Sequence, residues 1–174
     1  MTFNPDIHHR RSIRFRDYDY SNAGAYFVTI CTFQRECLFG EVQGGNFVSN
    51  EAGEIVTDIW MDLTKRFSSL SLDEFVVMPN HFHGILLFAD AFGSCATSKP
   101  GAASGAPTLG TVLRAFKSLS AIAVNKTIGR QGVSLWQRNY YERVIRDEQE
   151  LDVLRQYVAA NPSQGEKDEN HPSL

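Results

Sequence analysis

The chain has 174 residues, 43% of them hydrophobic and 21% charged, which is typical of one soluble globular domain rather than of a disordered or fibrous protein. Its formal net charge is −3 at pH 7, and none of its apolar stretches reaches the roughly 18–20 residues of a membrane-spanning helix. Residues 1–20 contain no apolar segment of the signal-peptide type, and the three cysteines share no metal-finger spacing. We therefore expect a cytoplasmic protein with reduced thiols and no membrane partner.

The charges are unevenly distributed along the chain. Four arginines lie near its start: Arg10, Arg11, Arg14 and Arg16. We expect residues 1–22 to form a basic N-terminal arm and residues 163–174 to form a disordered acidic tail. A local basic patch is sufficient to bind phosphate groups even on a protein that is slightly acidic overall. A solvated arm that binds nothing explains the charge pattern equally well.

The first third of the chain carries signals for a strand, a hairpin and a helix. Residues 24–33 are rich in β-branched and aromatic side chains, which predicts a strand. Residues 36–50 predict a hairpin, with the Gly44-Gly45 pair at its turn. Apolar residues then recur at helical spacing from Ala52 to Phe67, which predicts an amphipathic helix that begins near an Asn50 cap.

The middle of the chain predicts two strands, a loop and a helix. Residues 72–79 and 81–88 form apolar runs joined by the turn-favouring pair Pro79-Asn80. Residues 89–107 are rich in Gly, Ala and Ser, which favours a flexible surface loop inserted in the domain. A second apolar helical stripe runs from Leu109 to Val124.

The last third predicts a short strand and a third helix. The strand or extended connection falls within residues 133–145. Asp147 and Glu150 form a capping box that opens the helix, and we expect the helix to end near Asn161 because Pro162 disfavours helical geometry in the residue before it.

This order of elements predicts an α+β fold. Strands mixed with two or three helices, and a β-β hairpin in the middle, favour a ferredoxin-like antiparallel sheet with helices packed mainly on one face. The predicted domain spans residues 23–162.

Two histidines stand within the apolar run "VVMPNHFHGILLF", residues 76–88. In a strand His81 and His83 point to the same face, while both faces of this strand are largely apolar, as in a central strand covered on both sides. Buried imidazoles need partners. The pair is either a structural one with satisfied hydrogen bonds or two ligands that hold one cation together.

The third helix carries a tyrosine that is relevant to this choice. Tyr157 and Asn161 are four residues apart and therefore lie one above the other on one side of the helix. Taken alone, they indicate a half-buried tyrosine beside a helix terminus. Next to a metal-binding histidine pair, the same tyrosine is a candidate nucleophile for attack on a phosphate.

These segments together resemble a known family. "VVMPNHFHGILLF", "WQRNYYERVIRDEQEL" and "RQYVAANP", in this order, are similar to the REP-associated tyrosine transposases, which are relatives of the small insertion-sequence transposases within the HUH single-strand endonucleases. "AYFVTICTFQRECLFGEV" and "NEAGEIV" also match in order and spacing, so the resemblance extends from about residue 10 to residue 162.

The resemblance implies an HUH-type fold and a role for each site residue. His81 and His83 would be metal ligands for Mg²⁺ or Mn²⁺, Asn161 the third ligand, and Tyr157 the nucleophile. Many insertion-sequence relatives carry glutamine at the position of Asn161. The implied activity is the nicking and rejoining of single-stranded, hairpin-forming DNA through a 5′-phosphotyrosine intermediate.

Several basic and aromatic residues are candidates for DNA binding, because positive charge interleaved with aromatic rings suits phosphates and unpaired bases. Besides the arginines of the arm and Trp136, these candidates are Arg114, Lys117, Arg138, Tyr140, Tyr141, Arg143 and Arg146. Each of them is also explained as a solvated cation or a half-buried aromatic ring. Tyr140 and Tyr141 are in addition rival nucleophiles, which rank below Tyr157 because they lack the helical asparagine partner.

Two other functions compete with the nicking enzyme. One is a catalytically inactive module that binds structured DNA through the same surface. The other is a metal-dependent hydrolase of small phosphoesters, which would need neither the basic arm nor the late tyrosine. The resemblance to the REP-associated branch favours a monomer over a dimer that exchanges tyrosine helices.

Overall fold

The structure, a computed structural model, describes residues 24–43, 46–88 and 107–164. The predicted arm with its four arginines, the Gly44-Gly45 turn, most of the predicted loop and the end of the chain from residue 165 lie outside the described residues. In chain order the strands and helices are β1 (Ala25–Cys31), β2 (Gly40–Gln43), β3 (Asn46–Ser49), α1 (Glu51–Met61), α2 (Leu63–Arg66), β4 (Leu70–Met78), β5 (His81–Phe88), α3 (Leu109–Thr127), β6 (Tyr141–Ile145) and α4 (Glu148–Gln164).

The main sheet has four strands in the order β4-β5-β1-β6, and every neighbouring pair is antiparallel. Leaving aside the β2-β3 hairpin, the short α2 and the C-terminal α4, this is a β-α-β-β-α-β unit whose first and third strands occupy the centre of the sheet. The predicted α+β, ferredoxin-like fold is therefore confirmed.

One face of the sheet packs against α1 and α3. Trp60 of α1 lies at the centre of this layer, with ring centroids 4.5 Å from Phe82 of β5 and 5.0 Å from Phe116 of α3. All three side chains are fully buried. This aromatic cluster explains the apolar stripes of both predicted helices, since each stripe faces the same sheet layer.

The other face of the sheet packs against α4. A second group of buried apolar side chains joins Phe27 of β1 and Ile85 of β5 to Leu151, Leu154 and Val158 of α4. Of the described helices, most thus lie on one face, as predicted, and α4 lies on the other. Because β5 is central and covered on both sides, its continuous apolar sequence is explained.

The predicted helix caps are present. The side chain of Asn50 accepts a hydrogen bond from the Gly53 amide at 3.1 Å, so α1 begins where the sequence indicates. At the start of α4, Asp147 Oδ1 accepts from the Glu150 amide at 2.8 Å. The Glu150 carboxylate reaches back to the Arg146 amide at 2.9 Å, one residue further than in the usual capping box.

Two predicted helix ends differ from the structure. The first helix does not run unbroken to Phe67; α1 ends at Met61, the short α2 follows, and Phe67 is already extended where the chain turns into β4. The expected end of the last helix near Asn161 is wrong, because α4 continues through Pro162 to Gln164. Proline is tolerated there because it sits in the final turn, where it removes a single helical hydrogen bond and few residues follow.

Within the described part of the chain, no helix combines the length and the apolar character that crossing a membrane requires.

Candidate active site

The two histidines of β5 lie side by side on the face that α4 covers. Their ring centroids are 4.6 Å apart, and each residue is only 1% exposed. Cross-strand pairing places Cys31 of β1 opposite His81 and Thr29 of β1 opposite His83. The alternation of a central strand therefore brings both imidazoles to one surface, as the sequence predicts.

Each histidine ring is oriented by a hydrogen bond at its Nδ1 atom. His81 Nδ1 lies 2.7 Å from Oδ1 of Asn80, and His83 Nδ1 lies 2.8 Å from Oγ1 of Thr29. Because an amide oxygen can only accept, Nδ1 of His81 donates this hydrogen bond. Such contacts at one ring nitrogen are the usual way in which proteins fix histidines that bind a metal through the other.

The turn before β5 is itself fastened to the end of β1. The backbone carbonyl of Asn80 accepts hydrogen bonds from both the amide and the hydroxyl of Thr32, each at 2.9 Å. Asn80 and Thr32 are buried, so these bonds form away from solvent. The residue that orients His81 is consequently held by the strand that also orients His83.

Tyr157 of α4 reaches the histidine pair. Its ring centroid lies 5.4 Å from that of His83 and 5.9 Å from that of Phe27, in edge-to-face contacts. Phe27 in turn stacks on His83 at 5.4 Å. Tyr157 nevertheless remains 42% exposed, so its ring is in contact with the protein on one side and with solvent on the other.

Asn161 lies one helical turn beyond Tyr157 on the same side of α4 and is 3% exposed, with its Oδ1 atom buried. The predicted ligand set consists of His81, His83 and Asn161. Imidazole nitrogens and an amide oxygen are donors that a divalent cation such as Mg²⁺ or Mn²⁺ can accept, and with Nδ1 in hydrogen bonds each histidine would bind through Nε2. Among the described residues, no three His, Cys, Asp or Glu side chains are close enough to hold a metal; the predicted third ligand, Asn161, is an amide and does not belong to these residue types.

Tyr140 and Tyr141 lie on opposite sides of the sheet. Tyr141 pairs across the strands with Thr29, which in turn pairs with His83, so these three residues form one row on the α4 face. Tyr141 is 51% exposed. Tyr140 packs towards the core beneath α3, which places it away from the histidines.

The cations predicted to bind DNA have different surroundings. Lys117 of α3 donates hydrogen bonds from its ammonium group to the carbonyls of Gln137 and Arg138, at 2.6 and 3.0 Å, and lies 5.8 Å above the ring of Tyr140. Burial lowers the pKa of this lysine. Lys117 therefore has a structural role in holding the segment before β6.

The remaining arginines divide between the two faces of the sheet. Arg114 is exposed on α3, on the face opposite the histidines, so the structure does not bring it to the site. Arg143 pairs with Phe27 across the strands on the site face, and its guanidinium forms an ion pair with Glu150. Arg138 and Arg146 are exposed in the segments that precede β6 and α4.

Sequence reasoning did not identify the residues that orient the histidines. In the sequence, Thr29 is recognisable only as part of a strand and Asn80 only as part of a turn. The pairing of "FVTIC" with "HFHGILL" would have placed Thr29 opposite His83, but a strand register depends on the whole sheet and is not visible in a single strand.

No family model matches the chain. A protein of Haemophilus influenzae, itself uncharacterised, is 37% identical over 175 aligned residues, which cover 96% of this chain and 96% of that protein. Among solved structures, a REP-associated tyrosine transposase bound to a REP hairpin is similar with a TM-score of 0.59 and 16% identity, over 87% of this chain and 73% of that one. A candidate transposase of Deinococcus radiodurans R1 has a TM-score of 0.49 and 18% identity, over 84% of this chain and 95% of that one.

The high identity over almost the whole length relates this chain to the Haemophilus protein, and the structural similarity identifies the fold. The chain therefore belongs to the same family as the Haemophilus influenzae protein, and its fold is that of the REP-associated tyrosine transposases.

Proposed function

We propose that the protein is a single-strand DNA endonuclease of the transposase type, which nicks and rejoins hairpin-forming DNA through a covalent bond to Tyr157. The observation that carries the proposal is the contact of Tyr157 with His83, because it brings a half-exposed phenol from α4 next to the buried histidine pair of β5. A tyrosine that served packing alone would have no need of two oriented imidazoles beside it.

The reaction is a transesterification. The phenolic oxygen of Tyr157 attacks a phosphodiester and loses its proton to solvent, while the bond between phosphorus and the 3′-oxygen breaks. The products are a 5′-phosphotyrosine and a free 3′-hydroxyl, which takes up a proton. Since the phosphoester is conserved in the covalent intermediate, attack by a 3′-hydroxyl can reverse the step and rejoin strands without ATP.

His81, His83 and Asn161 would hold the divalent metal, Mg²⁺ or Mn²⁺. A bound cation of this kind supplies charge neutralisation for the phosphate oxygens, which is its usual role in phosphoryl transfer. Thr29 and Asn80 hold the two imidazoles by their Nδ1 atoms, so that each ring would bind the metal through Nε2.

The DNA would approach over the open side of Tyr157. Tyr141 is the exposed aromatic residue in the row that contains His83, and a base next to the scissile phosphate can stack on its ring. The similar REP-associated transposase is bound to a REP hairpin, which supports a DNA hairpin as the substrate. Tyr157 contacts His83 of its own chain, which supports action as a monomer rather than as a dimer that exchanges tyrosine helices.

The experiment is a search for a covalent protein–DNA adduct. The protein is incubated with an end-labelled DNA hairpin carrying a single-stranded flank, with Mg²⁺ or Mn²⁺, and the products are separated under denaturing conditions. We expect an adduct with the wild-type protein, none with Tyr157→Phe, and none when the metal is chelated.

Tyr140→Phe and Tyr141→Phe serve as matched controls, because each removes a phenolic hydroxyl and keeps the ring. We expect both to retain the adduct. An adduct that persists in Tyr157→Phe would disprove the assignment of the nucleophile, while tight hairpin binding without any adduct would leave the inactive binding module as the function.

A further inference from the structure

An arginine on α4 is bound to a carboxylate on the edge strand β4. Arg155 donates from Nε to Oδ1 of Asp73 at 2.8 Å and from its terminal nitrogen to Oδ2 at 2.6 Å, so that the two planar groups meet through two parallel hydrogen bonds. Arg155 also donates to Asp152, one turn earlier on α4, at 2.9 Å.

The backbone of β4 is irregular at the point where Asp73 lies. The pairing of β4 with β5 shifts between Leu72 and Phe75, so that two residues of β4 stand opposite one residue of β5. Such a bulge changes the direction of the side chains on the bulged strand. The Glu74 amide donates to Oδ1 of Asp73 at 2.8 Å, which fixes the carboxylate in position for Arg155.

Arg155 and Tyr157 lie on opposite flanks of α4. Successive helical residues are about 100° apart, so residues two apart differ by roughly 200° around the axis. The buried side chains Leu151, Leu154 and Val158 form the stripe between them and face the sheet. The helix is therefore held along its middle by apolar contacts, with the ion pair on one flank and the tyrosine on the other.

We propose that Arg155 and Asp73 are positioning residues, which fix the rotation of α4 and thereby place Tyr157 beside His83. The inference rests on the proposed function and adds to it the element that sets the position of the nucleophile. Apolar contacts alone resist a rotation of the helix weakly, because neighbouring apolar surfaces can slide over each other. A pair of parallel hydrogen bonds between two planar groups, by contrast, is directional and resists such a rotation.

Small rotations are sufficient to matter for the reaction. A helix with its side chains has a radius of roughly 5–6 Å, so turning it by about 20° moves an outer atom by roughly 2 Å. Misplacing a reacting group by about 1 Å can reduce a rate on the order of 100-fold. Arg143 and Glu150 form a second ion pair on the flank of Tyr157, two turns nearer the helix start, and this pair opposes rotation in the other sense.

The test compares Asp73→Asn, Arg155→Ala, Arg155→Lys and the double variant Asp73→Asn/Arg155→Ala. With saturating hairpin DNA, we expect each of the first two to slow single-turnover adduct formation on the order of 10- to 100-fold while the Kd for DNA changes less than about 2-fold. The double variant should be no slower than the worse single variant, since both remove the same contact. Arg155→Lys keeps one charge and one hydrogen bond and should fall between the wild type and Arg155→Ala.

Lys65→Ala is the matched control. It removes an ion pair with Asp62 at 2.6 Å that is exposed on the other side of the molecule, and we expect wild-type rates. Rates within 2-fold of wild type for Asp73→Asn and Arg155→Ala, or losses that multiply in the double variant, would overturn the proposed positioning role.

A second measurement is independent of catalysis. The ring of Tyr157 makes edge-to-face contacts with both Phe27 and His83, so its aromatic proton resonances are sensitive to its position. We expect these resonances to shift in Arg155→Ala and Asp73→Asn but not in Lys65→Ala, in proteins with unchanged circular dichroism. If the wild type forms no adduct, the proposed function fails, while unchanged tyrosine resonances in the variants mean that the positioning role fails.

Discussion

At the scale of single residues, the histidines depend on hydrogen-bond partners supplied by their neighbours. Thr29 is buried, and its hydroxyl has one ring nitrogen of His83 within hydrogen-bond distance. If Nε2 of His83 binds the metal, Nδ1 donates to this hydroxyl, which makes the ring a better ligand. The hydroxyl therefore contributes both to folding and to the proposed metal site.

Thr29→Val tests this role, because valine keeps the shape and removes the hydroxyl. We expect a loss of about 1 kcal/mol in the free energy of unfolding, since a buried ring nitrogen loses its partner. We also expect the metal concentration for half-maximal adduct formation to rise on the order of 10-fold. Chemical denaturation and a metal titration measure the two effects.

Thr57→Val is the control for this substitution. The Thr57 hydroxyl bonds at 3.1 Å to the carbonyl of Gly53 in its own helix, away from the histidines. A metal titration that shifts equally in both variants would show that the effect is one of general stability and not of His83.

The sequence identified the residues of the proposed site but not the residues that hold them in position. His81, His83 and Tyr157 could be named because each stands in a short local pattern, a strand or a helix, whose geometry is the same in any protein. Thr29, Asp73 and Arg155 act through contacts between distant segments, and no local pattern specifies which strand pairs with which. The identification of the histidines also required the distant helix, since two histidines in an apolar strand are equally explained by packing.

At the scale of elements, β5 uses its two faces for different purposes. One face carries the histidines, and the other packs against Trp60 of α1. Gly84 stands on this second face: a Cβ atom built there would lie 2.6 Å from the Trp60 ring and 2.8 Å from the Phe82 ring. The glycine that follows the second histidine is thus required by the close approach of a tryptophan, not by the site itself.

Gly84→Ala is expected to lower the free energy of unfolding by about 1–3 kcal/mol, because the added methyl group overpacks the core. Trp60→Phe in the same chain should recover part of this loss by making room at the contact. Denaturant unfolding of the two single variants and the double variant gives the coupling between the sites. Strictly additive losses would contradict the proposed contact as the cause.

Helix ends were less predictable than helix faces. The start of α4 at its capping residue was predicted because Asp147 and Glu150 act within four residues of each other. Its end was not, since the preference of a residue before proline is weak enough to be overcome when the last turn continues the packing of the helix. In the structure Pro162 is accommodated within α4.

At the scale of the whole molecule, the ion pair between α4 and β4 makes stability depend on pH. Hydrogen bonds from Arg155 lower the pKa of Asp73 in the folded protein. The unfolded chain therefore binds the proton more tightly. The contribution to stability is complete above the ordinary aspartate pKa of about 3.9 and is lost as the pH falls from there through the lowered folded value.

Asp73→Asn removes this dependence. We expect the difference in unfolding free energy between wild type and Asp73→Asn to be largest at neutral pH and to decrease as the pH falls below about 4. Urea unfolding of both proteins at several pH values measures it. If this difference in unfolding free energy stayed constant down to the pH at which the protein unfolds in acid, the link between Asp73 and Arg155 would be contradicted.

The sheet topology could be predicted from the sequence, but the face of the sheet that each helix covers could not. Element order alone predicts a ferredoxin-like sheet, because few topologies fit a β-α-β-β-α-β chain. The position of α4 on the opposite face from α1 and α3 was not assigned, since amphipathic helices carry no signal for which side of a sheet they cover.

The two groups of buried apolar side chains lie on opposite faces of the sheet, which allows one part of the molecule to unfold without the other. Tyr26, Trp60 and Phe116 form part of one group and do not depend on α4, whereas Leu154 and Val158 belong to the smaller group on the other face. We expect α4 to unfold locally while the rest remains native, so that its amide hydrogens exchange at a lower opening free energy than those of β1 and β5. Native-state hydrogen exchange would then report two cooperative units, and the tyrosine would belong to the less stable one.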